Sequence, residues 1–375
     1  MKERAKKILE QDLDVKIDLN TPLKCIPLAQ KQMVEIARTV YADAQIIIMD
    51  EPTASLQAEE RDKLFSIIRG LKEKGCSIIF ISHHLDEMME ICDSLMILRD
   101  GRKVDEGEIK NFTIDRIISA MVGKTLKNKY PKKKVAMGET ILEVKQLSDG
   151  EHFHDISFIL RRGEILGIVG LEGCGKNEVI RCIFGEKKYR SGKILMHGRE
   201  YGNQIRDAMK YKIAFVPAER KVEGLFLKQD VAWNTTIASL NQICRLRTIS
   251  VREEVKRTNT YIEQLHTKTG GPAQKITSLS GGNQQKVMLS RWMMTDADVF
   301  LLEEPTRGID INAKTDVYET IGNCVEMHRG VIVVSSEEEE VIGICDRIIV
   351  MKDGRVAKVL DAASTTTEEI KHYSV

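Results

Sequence analysis

The chain has 375 residues, and its 57 Lys and Arg residues nearly balance its 56 Asp and Glu residues, leaving a formal net charge of +1. This balance argues against binding to nucleic acid or anionic lipid through bulk electrostatic attraction. The apolar runs are too short to cross a bilayer, and the start MKERAKKILE lacks the apolar core of a secretory signal. Because the cysteines are dispersed without a Cys-x-x-Cys pair, we expect reduced thiols in an intracellular protein of about two or three domains.

The first predicted elements are buried strands that alternate with helices. Residues 45–52, QIIIMDEP, and residues 77–84, SIIFISHH, are continuous apolar runs that end in polar turns. Such runs are typical of strands buried on both faces of a parallel sheet, and the stretch 57–75 between them has a helical pattern. The same order returns at 299–305 and 330–337, which predicts an α/β fold with a parallel core sheet flanked by helices.

The chain contains one sequence pattern twice, at a constant offset of 253 residues. Asp50-Glu51-Pro-Thr matches Glu303-Glu304-Pro-Thr, and IPLAQKQMV matches LSGGNQQKV. A register kept over about 75 residues indicates two copies of one domain. The glycine-rich stretch that begins at Gly170 has no counterpart, because the offset places it before the first residue. We therefore expect the first copy to lack its front half here, either as part of a longer protein or through an internal start.

The boundaries between the copies follow from a short lysine-rich segment, KNKYPKKKVAMGE, which is poor in apolar residues. Such a composition is typical of a linker. We predict the C-terminal part of the first domain at residues 1–125, a linker at 126–140 and a complete second domain at 141–375. The closing segment RIIVMKDGRVAKVLD predicts a β-hairpin that turns at Asp353-Gly354.

A phosphate-binding loop is predicted where the apolar strand ILGIV runs into GLEGCGKN and then into the helical EVIRCIF. The glycines let backbone N–H groups converge on phosphates, and the start of the helix adds a favourable dipole. Asn177 stands where Ser or Thr usually offers a hydroxyl to Mg²⁺, so we expect nucleotide binding with weakened metal handling. The predicted nucleotide-binding residues are Gly170, Gly173, Cys174, Gly175, Lys176, Asn177 and Glu178.

Each copy also carries an acidic pair at the end of an apolar strand, Asp50-Glu51 and Glu303-Glu304. In nucleotide hydrolases the first acid holds Mg²⁺ and the second polarises the attacking water. Because adjacent strand residues point to opposite faces, we expect the chain to turn there so that both acids reach the site. The predicted metal ligands are Asp50, Asn177 and Glu303.

A second anion-binding cap is predicted at LSGGNQQKV, immediately before an amphipathic helix. The hydroxyl of a serine at a helix start and the exposed N–H groups that follow can both bind an anion. The residues predicted to bind nucleotide here are Ser280, Gly281, Gly282 and Gln285.

The ordered set of phosphate loop, LSGGNQQ and acidic pair with Pro-Thr resembles an ATP-binding cassette (ABC) ATPase. The tandem arrangement with LSGGNQQKV, EPTRGID and SSE is similar to the ATP-binding subunits of bacterial ribose, galactose and xylose importers. The resemblance implies a P-loop NTPase fold, with ATP and Mg²⁺ as ligands. It also implies a place on the cytoplasmic face of the membrane, transmembrane permease subunits as partners and, indirectly, a periplasmic sugar-binding protein.

The resemblance further implies two ATP sites, each formed by the phosphate loop of one copy and the LSGG segment of the other. The site with the loop at Gly170 would meet Pro-Leu-Ala at residues 27–29 and would carry Glu303, with Ser336 where the first copy has His83. A proline there removes a backbone donor. We therefore expect this site to bind ATP and to turn it over slowly or not at all.

The other site would combine Asp50, Glu51 and His83 with the intact Ser-Gly-Gly of residues 280–282. The resemblance assigns catalysis to the second acid and to a histidine that contacts the γ-phosphate, so the candidates are Glu51, His83 and, in the second copy, Glu304. The segment IAFVPAERK has Ala218 where Glu or Gln is usual, and it resembles the region that meets the membrane subunit.

Two other functions remain open at this point. One is a soluble tandem-cassette translation factor that acts on ribosomes, although the short linker and LSGGNQQ favour the transporter. The other is a nucleotide-binding fragment that does not hydrolyse ATP.

Overall fold

The computed structural model describes residues 3, 9, 17–23, 26, 28–41, 44–53, 58–82, 84–99, 101–122, 130–133, 135–245 and 248–374. The chain divides into two compact units, Met1–Lys127 and Asn128–Val375. No described helix combines the length and the apolar composition needed to cross a bilayer.

The first unit alternates helices and strands. In chain order its elements are α1 (Leu28–Tyr41), β1 (Ile46–Asp50), α2 (Ala58–Glu73), β2 (Ser77–Ile81), α3 (Leu85–Ile91), β3 (Ser94–Arg99), β4 (Arg102–Glu108) and α4 (Ile114–Val122).

Strands β1 and β2 of the first unit are parallel, with Asp50 opposite Ile81, and β3 and β4 form an antiparallel hairpin. Helix α2 contributes the fully buried Leu64 and Phe65 to the core on one side of this pair. The alternate residues of β1, such as Ile48, are exposed. Burial on both faces was predicted for these strands, and that prediction is wrong here because no described element covers the second face.

The second unit opens with a front half of strands and helices. Its elements are β5 (Thr140–Ser148), β6 (Ile156–Arg161), β7 (Ile165–Val169), α5 (Lys176–Phe184), β8 (Ser191–Met196), β9 (Arg199–Glu200), α6 (Ile205–Lys210), β10 (Ile213–Val216), α7 (Val231–Thr236), α8 (Leu240–Ile243), β11 (Cys244–Arg245), β12 (Thr248–Ile249) and α9 (Val251–Gln264).

The back half of the second unit repeats the element order of the first unit. It consists of α10 (Gly281–Met293), β13 (Val299–Glu303), α11 (Ile311–Glu326), β14 (Gly330–Val334), α12 (Glu338–Ile344), β15 (Arg347–Lys352), β16 (Arg355–Asp361) and α13 (Thr367–Ser374).

The core of the second unit is a six-stranded sheet in the order β10-β13-β14-β7-β15-β16, in which only β16 runs antiparallel to its neighbour. A four-stranded antiparallel sheet, β6-β5-β8-β9, lies beside it. Strands β7, β13 and β14 are buried along their whole length, as predicted for central parallel strands. The loop after β7, between two neighbours in mid-sheet, is therefore the natural ligand-binding position. The hairpin turn predicted at Asp353-Gly354 is confirmed, since both residues have positive φ.

The sequence repeat extends to individual contacts. Strands β1 and β13, and helices α2 and α11, begin and end at positions that differ by 253 residues. The hydroxyl of Thr53 donates to Glu87 at 2.6 Å in the first unit, and the hydroxyl of Thr306 donates to Glu340 at 2.6 Å in the second. The two units are thus built on one structural pattern.

Candidate nucleotide site

The loop between β7 and α5 has the backbone geometry of a phosphate cradle. Gly170 has a φ of 152° and Gly175 a φ of 87°. A Cβ atom on Gly170 would lie 2.4 Å from the carbonyl oxygen of Met351, and one on Gly175 would lie 2.6 Å from that of His152. Both positions therefore require glycine. Gly175 caps α5 without any side-chain hydrogen bond, which leaves the helix start open to an anion.

Lys176 lies over this loop. Its side chain is 4% exposed, and its Nζ donates to the carbonyl oxygen of Gly170 at 2.8 Å. The buried Cys174 completes the turn by donating its N–H to Leu171, whereas Gly173 leaves open space at the loop's tip. The ammonium group thus sits among carbonyl oxygens, from which phosphate oxygens can attract it.

A second loop, residues 149–154, packs against the phosphate loop at Gly175. The carboxylate of Asp149 accepts backbone N–H bonds from Glu151, His152 and Phe153 at 2.8–3.0 Å. Burial alone would raise the pKa of Asp149, but these bonds and the His152 side chain outweigh it and lower the pKa to about 2. Because the carbonyl of His152 packs on Gly175, the Asp149 carboxylate helps to set the shape of the cradle.

The residues after Lys176 have different surroundings. Oδ1 of Asn177 is buried and has no hydrogen-bond partner. The carboxylate of Glu178 pairs with Lys187 at 3.2 Å. Lys187 therefore holds Glu178, whereas Oδ1 of Asn177 is a buried oxygen without a partner near the start of the helix.

The predicted metal ligand Glu303 is engaged by a side chain that the sequence analysis did not single out. The Oε1 and Oε2 atoms of Glu303 accept from Nε and Nη2 of Arg181 at 3.2 and 2.7 Å. Oε2 also accepts from the backbone N–H of Ala218 at 3.3 Å. The carboxylate is 2% exposed at the end of β13, and both of its oxygens are committed to protein donors.

These donors decide whether Mg²⁺ fits this part of the chain. In nucleotide sites Mg²⁺ is usually bound by one or two carboxylates together with water and the phosphates. Here both oxygens of Glu303 are bound to Arg181, and Oδ1 of Asn177 is a neutral oxygen without a partner. No cluster of His, Cys, Asp and Glu suited to a metal ion occurs among the described residues. Direct coordination of a metal ion by Glu303 is therefore not compatible with this arrangement.

Both acidic pairs turn as the sequence analysis predicted. Glu51 and Glu304 have φ values of 49° and 45°, and each donates its N–H to the end of the neighbouring strand, to Ile81 and Val334 respectively. In the second unit the carboxylate of Glu304 accepts from the hydroxyl of Ser336 at 2.6 Å. This hydrogen bond holds the Glu304 carboxylate in place.

Some predicted residues of the first unit fall outside the described residues, namely His83 and Pro27. The side chain of Asp50 is exposed at the end of β1, in contrast to its buried counterpart Glu303. Leu28 is the first residue of helix α1, at the position that corresponds to Gly281, the first residue of α10 in the second unit.

The segment at the start of α10 differs from the prediction in one respect. The hydroxyl of Ser280 accepts from Nδ2 of Asn283 at 2.8 Å and does not cap the helix. This leaves the first N–H groups of α10 available to an anion. A Cβ on Gly282 would lie 2.3 Å from Ala313, so this glycine serves close packing on α11. Gln285 is buried in the second turn of the helix, away from its start.

Comparisons with known proteins place this site in a family. The ABC transporter family model matches residues 153–307, which include the phosphate loop, the start of α10 and the acidic pair of β13. A galactose/methyl galactoside import ATP-binding protein of Photobacterium profundum is 41% identical over 374 residues, covering 99% of this chain and 74% of that protein. A ribose import ATP-binding protein of Clostridium perfringens is 40% identical, covering 100% of this chain and 75% of that protein.

The chain belongs to the ABC transporter ATP-binding proteins. Solved structures agree on the fold: cbiO1 of Clostridium perfringens, part of the cbiONQ transporter complex, matches with a TM-score of 0.53 at 20% identity, over 62% of this chain and 94% of that one. A nucleotide-free ATP-binding cassette from an ABC transporter matches with a TM-score of 0.52 at 18% identity, over 63% and 95% of the two chains. The P-loop NTPase fold of an ABC ATPase is thereby confirmed.

Two residues of this ABC cassette escaped the sequence analysis. Arg181 could have been found, because it lies four residues after Asn177 and so on the same face of α5. A cation at that spacing, on the helix that follows the phosphate loop, is a signal for a charge partner of the acid at the strand end. Asp149 gave no such signal, since its role depends on three backbone N–H groups that only the folded loop brings together.

Proposed function

We propose that this chain is the ATP-binding and ATP-hydrolysing subunit of a transporter that imports a monosaccharide of the galactose or ribose type. The observation that carries the proposal is the similarity of about 40% to sugar-import ATP-binding proteins over nearly the whole chain. The nucleotide cradle of residues 170–176 supplies the chemistry, because it combines converging backbone donors with a lysine ammonium.

The partners follow from the same proposal. An import ATPase works with transmembrane permease subunits and receives sugar indirectly from a periplasmic binding protein. We place the chain on the cytoplasmic face of the membrane, where ATP is present. Its domains would be the C-terminal part of a first cassette at residues 1–125, a linker at 126–140 and a second cassette at 141–375.

Within this function the two acidic pairs have different tasks. Glu51 polarises the water that attacks the γ-phosphate in line, and His83 contacts that phosphate. Asp50 would hold Mg²⁺, which neutralises charge on the phosphates when bound. The Ser280-Gly281-Gly282 segment offers its open helix start to a nucleotide phosphate. Glu304 is left out of hydrolysis, because Ser336 holds its carboxylate and Arg181 occupies its neighbour Glu303.

The test is a pair of chromosomal substitutions in the native organism, Glu51→Gln and Glu304→Gln. Uptake of labelled galactose and ribose should fall by about 100-fold or more in the first strain, the size expected for loss of a group that acts in the transition state. It should stay within about twofold of the parent in the second. Equal uptake in both strains and the parent would refute the transport function, and co-sedimentation with ribosomes would support the translation factor.

A further inference from the structure

The buried carboxylate of Glu303 needs a positive charge, and the structure supplies one permanently. An unpaired carboxylate at 3% side-chain exposure would be strongly destabilising. In phosphate-loop enzymes a bound metal ion balances the acid at this strand end. Here the guanidinium of Arg181 makes a bidentate contact with both oxygens of Glu303.

Arg181 is itself held in place by two further acids. Its Nη1 donates to Glu186 at 3.0 Å and its Nη2 to Glu223 at 2.7 Å. The side chains of Glu186 and Glu223 are each 37% exposed, whereas that of Arg181 is 13% exposed. Burial lowers the pKa of Arg181, but the bonds to Glu303 and Glu223 outweigh burial and raise the pKa above its ordinary value. The positive charge is thus permanent.

The position of Arg181 relative to the cradle is set by helix α5. Lys176, Asn177 and Arg181 lie within the first two turns, and the last two are one helical turn apart on the same face. Ala218, whose N–H also binds Glu303, belongs to a segment where an amide or carboxylate ligand would be usual. Of the groups that would hold a metal here, Glu303 is already paired and position 218 has no ligand side chain, which leaves the neutral amide oxygen of Asn177.

We propose that Arg181 replaces the metal ion at the nucleotide site of the second unit, so that this site binds ATP equally well with and without a divalent cation. Arg181 is a positioning residue, since it acts by neutralising Glu303 beside the phosphates and need not touch the nucleotide. The inference rests on the proposed nucleotide site at residues 170–176.

The experiment measures the Kd of ATP for the whole chain by titration calorimetry, once with MgCl₂ and once with EDTA. The two values should agree within about twofold. A Kd more than about tenfold weaker in EDTA overturns the inference about Arg181 alone. Absence of ATP binding in both buffers refutes the nucleotide site itself, so the two failures are distinguishable.

Two variants test whether the ion pair between Arg181 and Glu303 causes the metal-independent binding of ATP. Arg181→Ala leaves Glu303 unbalanced beside the phosphates, so its Kd in EDTA should weaken about tenfold and recover when Mg²⁺ is added. The double variant Arg181→Ala/Glu303→Gln removes both charges, and its Kd should again be indifferent to metal. Far-ultraviolet circular dichroism checks that both variants are folded.

The control is Arg199→Ala, an exposed arginine on β9 that lies outside the cradle, and it should match the parent in both buffers. A folded Arg181→Ala chain with equal Kd values in EDTA and MgCl₂ would contradict the proposal. So would a double variant that still depends on metal as Arg181→Ala does.

Discussion

The two units share a backbone pattern but differ in what covers their sheets. Six apolar positions of the first unit are exposed, whereas their counterparts 253 residues later belong to one buried core cluster of the second unit. The exposed set is Ile46, Ile48, Ile79, Ile81, Met96 and Leu98, and the buried set is Val299, Leu301, Ile332, Val334, Ile349 and Met351.

The cover in the second unit comes from its front half. The buried cluster includes Ile141, Val179 and Phe215, which lie on β5, α5 and β10. The same elements position the phosphate loop, because β7 enters the sheet between β14 and β15 and continues into that loop. A cassette thus acquires its second core layer and its nucleotide cradle from one stretch of chain. The described part of the first unit has neither.

The largest difference in stability between the units is expected when two corresponding isoleucines are replaced by alanine. Ile332→Ala should destabilise the second unit by about 3 kcal/mol, because Ile332 is 0% exposed in a packed core. Ile79→Ala should cost under about 1 kcal/mol in the first unit, because Ile79 is 51% exposed. Hydrogen exchange of β14 and β2 measures each unit separately. Equal losses of protection would show that the exposed face is covered in solution.

The repeated threonine–glutamate bond should also differ between the units. Thr306→Val removes a donor from the buried Glu340, whose pKa is raised by burial, and should cost about 2 kcal/mol. Thr53→Val removes the equivalent donor from the partly exposed Glu87 and should cost about 1 kcal/mol or less. Denaturant unfolding monitored by hydrogen exchange gives both free energies. A larger loss of stability from Thr53→Val than from Thr306→Val would contradict the expected difference between the units.

A smaller effect is expected in the supporting loop, which only the second unit has among the described residues. Asp149→Asn should destabilise this unit by about 1.5 kcal/mol at pH 7. The pKa of Asp149 in the folded chain, about 2, lies below the ordinary 3.8, so its stabilising contribution is present above pH 3.8 and is lost as the pH falls towards 2. Thermal unfolding should show a smaller difference in Tm between the parent and Asp149→Asn at pH 3 than at pH 7. A Tm difference that does not change with pH would show that the charge of the Asp149 carboxylate does not stabilise the loop.

The sequence predicted the parts of the site that depend on chain order. The glycines at 170 and 175, the lysine after them and the turn at Glu304 follow from local patterns, and the structure places each at the same edge of the sheet. The sequence alone could not predict the environment of Glu303, because its ion pair with Arg181 joins residues that are 122 positions apart. Nor could it predict that β1 buries one face only, because an apolar run has the same composition whether or not another layer covers it.

The nucleotide cradle is tested most directly by the ATP affinity of the chain with and without the Lys176 side chain. Lys176→Ala should weaken ATP binding by at least about 100-fold, because it removes the ammonium group that lies over the loop. The matched control Lys187→Ala, a partly exposed lysine paired with Glu178, should bind ATP within about twofold of the parent. Unchanged ATP affinity in Lys176→Ala would contradict the assignment of residues 170–176 as the nucleotide cradle.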